Sequence, residues 1–119
     1  MPMHLEDFKA GQETRTPART VTEADVVAFA GLSGDFNPIH TDAEFAAATP
    51  FKQRIAHGAL GLSIATGLGA RTGMLDGTAI AFLGIEDWKF SKPIFLGDTV
   101  QVRMTVTDVR ASSKPGSRP

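Results

Sequence analysis

The stretch Ser33-Gly34-Asp35-Phe36-Asn37-Pro38-Ile39-His40 sets a carboxylate and an imidazole five positions apart on backbone unsuited to continuous helix. Asn37-Pro38 predicts a turn, because proline fixes its own φ and disfavours helical geometry in the residue before it. A turn there brings Asp35 and His40 side by side. Imidazole exchanges protons near neutral pH, and a neighbouring carboxylate favours its charged form. Such a pair can hold one water, take its proton and return a proton to an adjacent carbon. Each residue also has a plainer reading. Asp35 and Asn37 suit a turn, His40 a loop or helix-cap position, and Ser33 a hydrogen bond within the loop.

Ile55-Ala56-His57-Gly58 supplies the remaining part. Gly58 opens a long apolar segment, so its N–H falls in a first helical turn, where no intrahelical partner exists. Aimed at a ligand oxygen, that amide would stabilise developing negative charge, an effect of ~3–4 kcal/mol for one such donor. Glycine also lets a bulky group approach the backbone closely. The plainer reading makes Gly58 a tight helix opening and His57 a flanking or capping residue. A proton-handling pair beside a backbone donor is what water needs to add to a double bond conjugated with a carbonyl.

The elements that must position these groups follow from pattern. Residues 5–20 read as extended chain, with a break at Gly11, threonines that suit a strand and Pro17 marking an edge. Val21-Thr22 with Asp25 three residues on signals a capped helix carrying Val26, Val27, Phe29 and Ala30, ended by Gly31 and Gly34. A second short helix should start near Thr41 or Asp42 and stop before Pro50. The main helix should run from Gly58 to about Arg71, apolar on all sides and hence buried on all sides. Its glycines at 61, 67 and 69 each cost up to ~1 kcal/mol relative to alanine, understandable where neighbouring backbone packs close. Strands are expected at 79–85, continuing in alternation through 87–92, and at 99–109, with a turn at 93–98 between them.

At 119 residues the chain is one domain. It is 42% apolar and 21% charged, with a net charge of −1 and scattered basic residues, so nucleic-acid and membrane-surface roles lack electrostatic support. With no cysteine, thiolate chemistry and disulfides are excluded. The three histidines lack metal-ligand spacing, so neither a metal nor another cofactor is expected. The N-terminus has no signal-peptide pattern, and the apolar run 56–70 is too short to span a bilayer. A cytoplasmic protein is expected. Ser112 to Ser117 signal a tight turn, which normally announces a returning strand, yet the chain stops three residues after Gly116; a truncated C-terminus is expected.

A buried helix with antiparallel strands gives an α+β class, a curled sheet around one helix. The aromatic set of Phe29, Phe36, Phe45, Phe51, Phe82, Trp88, Phe90 and Phe95 reads as core and pocket wall, with Phe36 and Phe51 nearest the candidate site. Arg54, Arg71, Lys89 and Lys92 read either as partners for a carrier's phosphates or as solvated surface charges.

The run Phe29 to Asp42, the His57-Gly58 pair and the segment Lys89-Phe-Ser-Lys-Pro-Ile-Phe-Leu-Gly-Asp98 resemble the MaoC-like (R)-specific enoyl-CoA hydratases, over most of residues 20–110. The resemblance implies a hot-dog fold, a sheet wrapped around a central helix, and a homodimer in which two sheets join. It implies hydration of trans-2-enoyl-CoA to (R)-3-hydroxyacyl-CoA, or the reverse dehydration. Asp35 and His40 would be the catalytic pair and Gly58 the oxyanion donor, with Asn37 supporting them. Ser33, Phe36, Phe51 and His57 would lie around the substrate. Family domains also continue with further strands beyond residue 116. Two other readings stay open: an acyl-carrier-protein dehydratase or thioesterase of the same fold, and a non-catalytic acyl-thioester-binding or assembly subunit.

Overall fold

Thr22 begins the first helix by closing a reciprocal cap. Its hydroxyl accepts the Asp25 N–H at 3.2 Å while the Asp25 carboxylate accepts the Thr22 N–H at 2.9 Å. Val21 before the cap and Val26 in the first turn are both fully buried in one cluster, a hydrophobic staple that sets the angle of approach. The structure, a computed structural model, describes residues 7–74, 76–77 and 84–107. Within them lie β1 (Glu13–Arg15), β2 (Arg19–Thr20), α1 (Glu23–Ser33), α2 (Pro38–Thr41), α3 (Ala43–Ala47), α4 (Gly58–Arg71), β3 (Thr99–Val100) and β4 (Arg103–Thr105). α1 runs past Gly31 and ends at Gly34, whose φ of 81° gives the left-handed cap that glycine accepts without strain.

The strands form one interrupted antiparallel ribbon. β1 pairs with β4 in the register Glu13↔Thr105, and β2 pairs with β3 through Thr20↔Thr99. Pro17, lacking an N–H, sits in the break between the two pairings. Thr16 fills the gap, its N–H donating to the Val102 carbonyl at 2.9 Å and its hydroxyl accepting the Val102 N–H at 3.0 Å. The expected strand at 99–109 is thus two short strands, and residues 108–109 lie outside the described part. Its alternation holds, with Val100, Val102, Met104 and Val106 half-buried and the residues between them exposed. The turn at 93–98 is present, closed by the Phe95 and Asp98 amides and by Gly97 at φ 96°.

Two expectations need correction. Among the described residues, 84–92 form no strand, pair with no edge and are exposed; 79–83 lie outside the described part. α4 is not buried on all sides. Leu60, Ile64 and Leu68 stack at four-residue intervals on one face and pack with Val21, Val26 and Ala56, while Ala59, Ser63 and Thr66 are exposed. Around the helix from that buried face, Gly58, Gly61, Ala65 and Gly69 form a face of small residues. Side chains, not backbone, approach it closely: a Cβ on Gly61 would lie 3.1 Å from Ile94 Cδ1, and one on Gly69 3.4 Å from Met104 Sδ.

Candidate active site

The Gly34 cap reverses the chain out of α1, and the loop that follows is tied to itself at each step. Ser33 donates its hydroxyl to the Phe29 carbonyl and accepts the Asp35 N–H at 3.1 Å. Asp35 Oδ1 accepts the Asn37 N–H at 3.1 Å, and Asn37 Oδ1 accepts the Ile39 N–H at 3.0 Å. Pro38 then begins a single helical turn, α2, rather than the turn expected from Asn37-Pro38. Proline's missing N–H costs nothing at the first helical position, and Asn37 outside the helix keeps the extended geometry that proline imposes. His40 is carried inward by that turn and is buried. Asp42 caps α3, accepting the Glu44 and Phe45 amides at 3.0 Å.

His40 Nδ1 lies 2.7 Å from the Ile55 carbonyl. A carbonyl only accepts, so Nδ1 carries a proton, and in the neutral ring Nε2 is the nitrogen with the free lone pair. Nε2 faces Asp35 Oδ2 at 3.9 Å. That is too long for a direct hydrogen bond and suits two groups that grip one oxygen between them. Asp35 has a half-exposed side chain, so the pair opens to solvent on the carboxylate side.

His57 joins this pair. Its ring stacks on His40 with centroids 3.8 Å apart and meets Phe29 at 5.0 Å. Nε2 donates to the Asp35 carbonyl at 2.9 Å, and Nδ1 is buried and without a partner among the described residues. His57 therefore clamps the Asp35 loop onto the start of α4, a role its sequence position did not reveal. Ligand atoms of Asp35, His40 and His57 lie within 4.8 Å of one another. The two rings stack 3.8 Å apart with planes only 24° from parallel, so an ion at bonding distance could not lie in both ring planes as imidazole coordination requires.

Residue 57 is also the N-cap of α4, and its side chain makes no cap hydrogen bond. The first intrahelical bond runs from the Gly61 N–H to the His57 carbonyl. The Gly58 N–H has no partner among the described residues and points out of the helix mouth. From there a cavity of about 1080 Å³ runs along α4, lined by Phe51, Gly58, Gly61, Ala65, Leu68 and Trp88 among others. Lys89 and Lys92 also line it, whereas Arg54 is engaged with Glu23 at 2.6 Å. The structure thus brings together Asp35, His40, His57 and Gly58, with Phe51 on the cavity wall. Ser33 and Asn37 spend their polar side-chain atoms on the loop, and Phe36 is exposed outside the cavity lining. Missed from the sequence was the Ile55 carbonyl, since backbone acceptors carry no residue-type signal, whereas Phe90, read as core or pocket wall, lines the cavity.

Residues 7–117 match the family described as MaoC like domain. The (R)-specific enoyl-CoA hydratase of Rhodospirillum rubrum is 40% identical over 112 residues, covering 93% of this chain and 74% of that protein. Protein MaoC of Klebsiella aerogenes is 42% identical over 102 residues, which is 86% of this chain but only 30% of that protein. Among solved structures, a monoamine oxidase regulatory protein from Archaeoglobus fulgidus superposes with a TM-score of 0.82 at 41% identity, over 90% of this chain and 72% of that one. Helix and antiparallel ribbon are accordingly parts of a hot-dog fold. The chain belongs to the MaoC-like domain family.

Proposed function

We propose that the chain hydrates trans-2-enoyl-CoA to (R)-3-hydroxyacyl-CoA, or runs the reverse dehydration. The observation that carries this reading is the fixed tautomer of His40. With Nδ1 committed to the Ile55 carbonyl, a basic Nε2 faces Asp35 Oδ2 across a gap suited to one water oxygen. In hydration, that water loses a proton to the pair as its oxygen bonds to the β-carbon. The π electrons move onto the thioester oxygen as an enolate, and the Gly58 N–H stabilises the charge. A proton from the pair then reaches the α-carbon, so one water is consumed and nothing else is released. The name of the Rhodospirillum relative supports the CoA thioester and the (R) outcome. The same reading takes the working form to be a cytoplasmic homodimer.

Asp35→Asn and His40→Ala are each expected to lower crotonyl-CoA hydration by at least ~10²-fold, the scale of losing a general acid or base. Loss of the enoyl absorbance measures the rate, and chiral analysis of the product tests its hand. Near-full rate in both variants would discard the catalytic pair.

A further inference from the structure

Gly58 lacks a side chain where one would strike Phe90. A β-carbon on residue 58 would lie 2.8 Å from Phe90 Cε1, 3.0 Å from Cζ and 3.2 Å from Cδ1. Unstrained carbon contacts lie at ~3.5–4.0 Å, so ring and β-carbon cannot coexist there without movement. Glycine at 58 therefore leaves room for the Phe90 ring, whose exposed tip would have to swing aside for any larger residue. Phe90 is 67% exposed, so core packing does not explain its position. Its ring leans on the helix mouth and meets Trp88 edge-on, with centroids 6.2 Å apart. Gly58, Trp88 and Phe90 all line the same cavity. An open aromatic ring beside an unpaired amide is a surface that gains by being covered.

We propose that Phe90 is a specificity-determining residue: its ring is the wall against which an acyl thioester lies when its oxygen reaches the Gly58 amide. This rests on the hydratase reading for the identity of the ligand. Phe90 confines the thioester to one side of the helix mouth and is itself covered on binding. Trp88, the sole tryptophan of the chain, reports the event through its contact with the ring.

The experiment compares the unsubstituted chain, Gly58→Ala, Phe90→Ala and the double variant. It reads kcat and KM with crotonyl-CoA, and Trp88 emission with and without butyryl-CoA, which has no double bond to hydrate. Gly58→Ala should lose about tenfold to a hundredfold in kcat/KM, as expected for a reacting group displaced by about an ångström. In the Phe90→Ala background Gly58→Ala should cost about tenfold less than in the unsubstituted chain, and Phe90→Ala alone should raise KM about tenfold, the scale of one uncovered aromatic side chain, with a smaller change in kcat. Gly58→Ala should alter Trp88 emission only where Phe90 is present, and butyryl-CoA should bind about tenfold more weakly to Phe90→Ala. The proposal is overturned if Gly58→Ala is equally impaired with and without Phe90, or if butyryl-CoA binds Phe90→Ala undiminished. A chain that binds butyryl-CoA in a Phe90-dependent manner yet hydrates nothing keeps this proposal and removes the hydratase reading. Hydration that is indifferent to Phe90 does the reverse.

Discussion

At residue 58 two demands meet on one backbone position, and they can be separated. His57 is extended, with φ −60° and ψ 139°, which is the geometry a following proline requires. Residue 58 is the first helical position, where proline is well tolerated. In a Phe90→Ala background, which clears the space for a β-carbon, Gly58→Pro deletes the amide donor while Gly58→Ala keeps it. Relative to the alanine variant, the proline variant is expected to lose about 10²–10³-fold in kcat, with KM changed much less. Equal kcat in the two variants, or a loss confined to KM, would assign Gly58 to binding alone. The neighbourhood of Asp35 and His40 was legible because Asn37 and Pro38 constrain the chain between them. What turns Nε2 of His40 toward Asp35 is the carbonyl of Ile55, fifteen positions away, and no local pattern encodes it.

At the scale of elements, α1 is held chiefly by its start. The Thr22 amide holds the Asp25 carboxyl below the usual carboxylate range; partial burial opposes this, and the Thr22 hydroxyl and Arg19 reinforce it. A carboxyl harder to protonate in the folded chain than in the unfolded one stabilises the fold fully above the ordinary carboxylate range. That stabilisation fades as pH falls through it. Thr22→Ala should cost about 1 kcal/mol at neutral pH, and Asp25→Asn up to about 1 kcal/mol at low salt. The Asp25→Asn deficit, measured by denaturant titration, should shrink as pH is lowered below about 4, the ordinary aspartate range. A deficit independent of pH would show that the charge of Asp25 is irrelevant to the cap. α1 and α3 were readable because Thr22 and Asp42 are side-chain caps with direct sequence signatures. α2 was not, since the same Asn-Pro pair that signals a turn can also open a helix. The alternation at 87–92 misled for another reason: period two describes a chain fit for a ladder, and only a neighbouring edge makes it one.

At the scale of the whole molecule, the core among the described residues is narrow, and α4 supplies half of its main cluster. Of the residues in the main cluster, Leu60, Ile64 and Leu68 are on that helix and Val21, Val26 and Ala56 are not. Leu68 is 2% exposed, and Leu68→Ala should destabilise the fold by about 2–5 kcal/mol, seen as a lower denaturation midpoint. A loss below about 1 kcal/mol would mean that the cluster is less closely packed than its burial implies. The sequence identified this helix as central from its lack of charge. It did not indicate that one face would be left to a cavity, because leucine-rich and glycine-rich faces score alike as apolar. Counting bulky side chains separately from small ones divides the two faces.

The loop that bears Asp35 owes its placement to groups it does not contain, the His57 ring and the Ile55 carbonyl. Transplanting residues 33–40 onto another scaffold would carry the reactive side chains but leave their anchors behind. The smallest portable unit is therefore two separated pieces of chain, 33–40 and 55–58, delivered at a fixed mutual distance. Any library built to retune this chemistry has to hold both pieces constant and vary what surrounds them.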